Sequence, residues 1–185
     1  MKMNSLTALA SLFLTAAPAF ANEASEHPST VPNDREIAQI LLSVNRNEVD
    51  AGKLAKKRTS NGEVKAFADM MIREHTSVTE QTKQVAKKIK LRPEDSAKSD
   101  EIKNEGKRTE KKLKDLKGAE FDAEYVNEMV AGHQNLLSAI DVDLIPNVKS
   151  EELRALLTKV RPSVELHLQH AKALQSKLSS KGNAG

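Results

Sequence analysis

Four stretches of the chain carry an apolar residue every three or four positions, the period at which a helix presents one face to a core. The first runs through Ile37, Ile40, Leu41, Val44, Ala51, Leu54 and Ala55, and the second through Val64, Phe67, Met71, Val78, Val85 and Ile89. The third takes Phe121, Tyr125, Met129, Leu136, Ile140 and Leu144, and the fourth Leu153, Leu157, Val160, Val164, Ala171, Leu174 and Leu178. The first helix is predicted to open at Asn33, with Glu36 three residues on as its reciprocal cap. The turn Ser60-Asn61-Gly62-Glu63 ends it, and Ser60 with Glu63 predicts the cap of the second helix, which runs to about Leu91 before Pro93. The third helix follows Gly118 and stops at Pro146-Asn147. The fourth opens on Ser150, and Pro162 predicts a kink because it removes the bond to the carbonyl of Thr158. The pattern predicts an all-α fold, an antiparallel four-helix bundle.

Between the second and third stripes, Pro93 to Lys117 reads as a charged crossover. Ile102, Thr109, Leu113 and Leu116 suggest a short extra helix on its surface, weakened by Gly106. From Lys83 to Lys117 there are 13 basic and 7 acidic side chains. Such a run is ordinarily a solvated face. The functional alternative is a contact between Lys107, Arg108, Lys111 and Lys112 and an anionic envelope component.

Composition agrees with helices, since aromatics make up only 3% and tryptophan is absent. Lys2 is the single charge before Asn22. The apolar run Leu6–Ala17 followed by Ala19-Phe20-Ala21 reads as a signal peptide cleaved after Ala21. The expected division is therefore a signal peptide over 1–21, a disordered lead-in over 22–32, the bundle over 33–180 and a disordered tail over 181–185. The expected place is the periplasm. No later stretch predicts a membrane span, and the chain has no cysteine for a disulfide framework. Without Lys2 the mature chain has 28 basic against 26 acidic residues, a balance that gives no case for nucleic acid. The oligomeric state is not legible.

The candidate chemistry lies where the stripes are interrupted. Glu48, His75, His133 and His167 each stand on a buried stripe where an apolar residue is due, one on each long helix. A buried polar side chain needs a partner. Counting 1.5 Å per residue from the turns places all four near mid-helix, with His167 some 6 Å deeper than the others. Three imidazoles and a carboxylate suit zinc, iron, manganese or copper. The alternative is a hydrogen-bonded polar layer without metal. The Glu-x-x-His pairs of carboxylate-bridged di-iron bundles are absent, because Ile72, Val130 and Val164 stand three residues before the histidines. Met71 and Met129 precede His75 and His133 by four. They read as core filling, with a soft-ligand role for copper(I) as the alternative. His27 falls in the lead-in and His170 off the stripe, so neither joins the set. Tyr125 is expected to bury its ring and extend its hydroxyl to the first or fourth helix. Gly52 either admits a neighbouring helix closely or weakens its own. There is no nucleophile–base signature, phosphate loop or cofactor motif, hence no catalytic residue to name.

Several of these residues recur as motifs: Asn45-x-x-Glu48-x-x-x-Gly52-x-Leu54-Ala55, Val64-Lys65-x-Phe67-Ala68-x-x-Met71-x-x-Glu74-His75, Gly118-x-x-Phe121-Asp122-x-x-Tyr125, Met129-Val130-x-x-His133 and Pro162-x-x-x-x-His167-Leu168-x-x-Ala171-x-x-Leu174. In this order, across about Ile37 to Leu178, the chain resembles the bacterial exported family catalogued as domain of unknown function 4142. The resemblance implies a ferritin-like helical bundle and an envelope location associated with the outer membrane. It implies no established reaction. Glu74 is a departure, since the family usually carries Asp there.

Overall fold

The computed structural model describes residues 31–182, with side chains to Ser180. The predicted leader, most of the lead-in, His27 and the end of the tail lie outside the described residues. The fold is all-α, and the described residues contain no strand. Helix α1 spans Asp34–Arg58 and α2 Gly62–Lys88. Then come α3 (Ala97–Asp115) and α4 (Gly118–Ala139), a π-helical turn over Ile140–Leu144, the short α5 (Ile145–Asn147) and α6 (Glu151–Gly182). No helix among the described residues is long and apolar enough to cross a membrane.

The caps show how the sequence sets these limits. Asn33 Oδ1 accepts from the amides of Arg35 and Glu36, and the Glu36 carboxylate accepts from the Asn33 amide at 2.9 Å, completing the predicted reciprocal cap. At α2 the cap is Asn61, not Ser60. Its Oδ1 accepts from Glu63 and Val64, while Thr59 Oγ1 accepts from the Asn61 amide. Helix α2 stops at Lys88 rather than Leu91, and the turn passes through Lys90 at φ 55°. Ser150 opens α6 as predicted, accepting from the Leu153 amide at 3.3 Å. Helix α6 runs without a break through Pro162.

Helix α1 packs along α2 and α4 along α6, and the contact of α2 with α6 joins the two pairs. The crossover holds a 19-residue helix, α3, longer than a surface turn and laid along α1. Leu113 anchors it, fully buried among α1, α2 and α4 residues. Gly106 has a structural use that its low helix propensity hides. A Cβ at this position would collide with the side-chain amide of Asn47, whose nitrogen donates to the Ile102 carbonyl at 2.7 Å. Gly52 serves the close approach of α1 to α2, since a Cβ there would lie only 3.0 Å from Ile72 and 3.2 Å from the Ala68 carbonyl.

The apolar interior comes in two parts. One cluster centres on Ala55, Val64, Phe67, Met71, Phe121 and Tyr125, the other on Ile37, Leu41, Ile140, Leu144, Leu153 and Leu157. Both are buried deeply enough that each large side chain contributes roughly 1.5–3 kcal/mol. Between them along the helices lies a band of polar side chains.

Candidate metal centre

That band is formed by Asn45 and Glu48 from α1, His75 from α2, His133 from α4 and His167 from α6, all buried. The three imidazoles converge from three helices. Their ring centroids are 5.3 to 5.5 Å apart, and one nitrogen from each ring falls within 4.8 Å of the others. No local constraint brings them together. The offset of His167 expected from residue counting is absorbed in the packing.

Each ring is held from behind. His75 Nδ1 lies 2.8 Å from Asn45 Oδ1, and the Asn45 amide nitrogen donates to the Leu41 carbonyl at 2.6 Å. The amide oxygen therefore faces the ring as an acceptor, and Nδ1 carries the proton. His133 Nδ1 donates to the Met129 carbonyl at 2.8 Å. His167 Nε2 donates to the Glu74 carboxylate at 2.7 Å. These bonds fix three neutral tautomers and leave three lone pairs: Nε2 of His75, Nε2 of His133 and Nδ1 of His167. All three atoms are buried without a hydrogen-bond partner among the described residues. Unpaired buried polar atoms cost free energy, and three on rings whose centroids lie 5.3 to 5.5 Å apart call for a shared partner. Carboxylate or carbonyl support behind an imidazole, with the other nitrogen free, is the arrangement that orients metal-ligating histidines.

The electrostatics favour neutral rings at His75 and His167. Burial pushes the His75 pKa well below the ordinary histidine value, and the neighbouring charges of His133 and His167 push the same way. Burial also lowers His167, opposed by its bond to Glu74. For Glu74 burial acts upward, but its bond and charge interaction with His167, joined by Arg73, carry the carboxyl below its usual range.

Glu48 does not join the convergent group. It comes from α1 at the level of Gly132, where a Cβ would lie 3.4 Å from Glu48 Oε1, and its Oε2 is buried without a partner among the described residues. Burial raises its pKa, and the charge of His133 acts the other way. The ligand set expected from sequence thus divides into three histidines together and Glu48 beside them. Tyr125 is a core residue as expected, packed on Phe67 and Phe121, but its hydroxyl finds no partner on α1 or α6 among the described residues. Burial, with the charge of Glu48 second, raises its pKa well above the ordinary tyrosine value. Met71 and Met129 lie in the apolar cluster, and His170 is exposed. Sequence reading missed Asn45 and Glu74 as holders of the rings. Both occur in the motifs, Asn45 three residues before Glu48 and Glu74 next to His75. What hid them is that their partners lie on other helices.

The helices and the three-histidine layer they bury make this an all-α bundle with a polar site at its centre. The chain belongs to the family described as Domain of unknown function (DUF4142), whose profile matches residues 17–174. No match was found among curated proteins. Among solved structures the fold is similar to one titled "CopM in the Cu(II)-bound form", with a TM-score of 0.61 and 14% sequence identity, over 80% of this chain and 98% of that one.

Proposed function

We propose that this protein binds one transition metal ion through His75, His133 and His167, copper above the others, and holds it for sequestration. The carrying observation is the trio of buried imidazole nitrogens, each with its lone pair free and its ring fixed by an outer hydrogen bond. Neutral imidazole suits copper, zinc and iron, and copper(II) binds most strongly of the divalent first-row ions. The similar solved structure carries Cu(II) in its title, which favours copper further. A layer serving only as polar filling would pair these nitrogens with one another or with Glu48. On the leader ending at Ala21 the setting is the periplasm, and sequencing of the mature protein, expected to begin at Asn22, checks it.

The test is elemental analysis of untagged protein after equilibration with Cu(II), Zn(II), Fe(II) or Mn(II) and removal of loose ions. About one ion per chain is expected for copper, with nitrogen coordination in the Cu(II) electron paramagnetic resonance spectrum. His75→Ala and His133→Ala should lose it while His170→Ala keeps it. Substoichiometric metal in the wild type, or full occupancy in the His75→Ala variant, would overturn the assignment.

A further inference from the structure

Helices α1 and α4 touch over only a short stretch. The opening between them, flanked by α3, is a cleft of about 1470 Å³. Eight carboxyl groups line it against four basic side chains. Three of the four basic groups are engaged by acids, Lys98 with Glu101, Lys103 with Asp100 and Arg46 with Asp50. Of the carboxyl groups, Asp50, Glu101, Glu110 and Glu128 are in ion pairs, while Glu48, Glu105 and Asp143 have none among the described residues. At its floor stand two polar side chains more than nine-tenths buried, Ser43 and Glu48, and neither Ser43 Oγ nor Glu48 Oε2 has a hydrogen-bond partner among the described residues. Glu48 lines the cleft, and its Oε1 lies against Gly132, the residue before His133, where a Cβ would be 3.4 Å away.

A second opening, of about 160 Å³, reaches His75 and His167 between α2 and α6. Lys159 stands among its lining residues, and its ammonium donates to Gln81 at 2.7 Å, tying α6 to α2. A cation entering there meets one ammonium, Lys159, and one carboxylate, Glu74, which is already engaged by His167, whereas one entering the α1–α4 cleft meets a surplus of carboxylates.

We propose that metal cations reach the three histidines through the cleft between α1, α3 and α4, with Glu48 as the first buried ligand that takes the incoming ion and passes it to His133. This inference rests on the metal-binding function proposed above and names the route to that site. Glu48 fits the role because it is buried, unpaired and next to the layer without being part of it. A transient oxygen ligand exchanges readily with imidazole, the better donor for copper. The acidic walls raise the local cation concentration, the effect by which charged clefts accelerate association.

The test separates rate from affinity. Cu(II) binding is followed by stopped-flow absorbance of the loaded site, and affinity is measured at equilibrium against a competing chelator. Glu48→Gln should slow loading about tenfold while changing the dissociation constant less than about threefold, and Glu48→Asp should recover part of the rate. The double variant Glu105→Gln/Asp143→Asn, at exposed cleft positions, should slow loading about two- to threefold and weaken its salt dependence. That second variant decides the matter should Glu48→Gln fail to fold. Lys159→Glu should leave the rate unchanged. The route is overturned if Glu48→Gln loads at the wild-type rate, or binds weakly while loading normally, which would make Glu48 a resident ligand. It is equally overturned if the double variant has no effect, or if Lys159→Glu accelerates loading. Failure of the wild type to bind copper at all would instead remove the metal-binding function itself.

Discussion

Replacing His75 with leucine should reverse its effect on stability when metal is added. In the metal-free protein the substitution removes a buried Nε2 without a partner, a relief of about 1–3 kcal/mol. It also strands the Asn45 oxygen that His75 Nδ1 engages, a cost of the same size, about 1–3 kcal/mol. The two offset to first order. What remains is the burial of an alkyl side chain at a site 3% exposed, a gain of about 1–2 kcal/mol, less about 1 kcal/mol for imperfect fit. The metal-free variant should therefore match the wild type or exceed it by up to about 1 kcal/mol. With free Cu(II) at a hundred times its dissociation constant, the wild type gains about 2.7 kcal/mol. Loss of an outer holder of a ligand already costs 10–100-fold in affinity, and loss of a ligand costs no less. With a loss of about 100-fold the variant gains only about 0.4 kcal/mol at that concentration, and the order of stabilities inverts, the wild type then leading by about 1–2 kcal/mol. Urea unfolding followed by far-ultraviolet circular dichroism, with and without buffered Cu(II), measures both. The pH dependence supplies a second mark. The folded pKa of His75 lies below its unfolded value near 6.5, so below that pH the unfolded chain takes up the proton more readily. Stability contributed by the neutral ring is present above pH 6.5 and is lost as the pH falls, by at most about 1.4 kcal/mol per unit. Metal-free His75→Leu should show a flatter acid limb. A loss above about 2 kcal/mol in the metal-free variant, with an undiminished copper increment, would refute the reasoning.

Gly106→Ala should destabilise the wild type by about 1 kcal/mol, since the new Cβ displaces Asn47 from the Ile102 carbonyl. In an Asn47→Ala background the same change should stabilise by about 1 kcal/mol, the gain in helix propensity. A thermal-melt double-mutant cycle with additive effects would contradict the close approach. On α3, Lys107, Arg108 and Lys111 are exposed with no ion pair among the described residues, while Lys112 is engaged with Glu124 and Glu128. The triple change of Lys107, Arg108 and Lys111 to Gln should abolish salt-sensitive sedimentation with anionic vesicles, whereas Lys112→Gln should act mainly on stability. Sedimentation unaffected by salt or by the triple change would leave α3 a solvated face.

Much of this arrangement was legible from spacing alone. The stripes gave four long helices, and the three histidines that interrupt them do converge, because an interrupted stripe is a direct statement about which side chains face the interior. Partner choice was less legible. Asn45 and Glu74 serve rings on other helices, and sequence period carries no information on which neighbour lies across. Glu48 sits on its stripe as the histidines do, yet a stripe spans enough of the helix circumference to aim at α4 beside the layer rather than into it. The cap of α2 went to Asn61 because adjacent Ser and Asn both satisfy cap chemistry. Gly106 read as a weak point for want of Asn47, 59 positions earlier.

The division of the apolar interior by a polar band has a bearing on alignment. Leucine and alanine faces are forgiving, and two such helices can slide by one turn, about 5.4 Å, while still burying comparable area. Here a slip of α2 along α1 by one turn would draw His75 away from Asn45 and set its ring against Leu41 or Glu48, without the amide oxygen that holds Nδ1. The same slip would part Glu74 from His167. The band thus acts as a key cut into an otherwise uniform seam: it penalises every register but one, and it does so before any ion arrives.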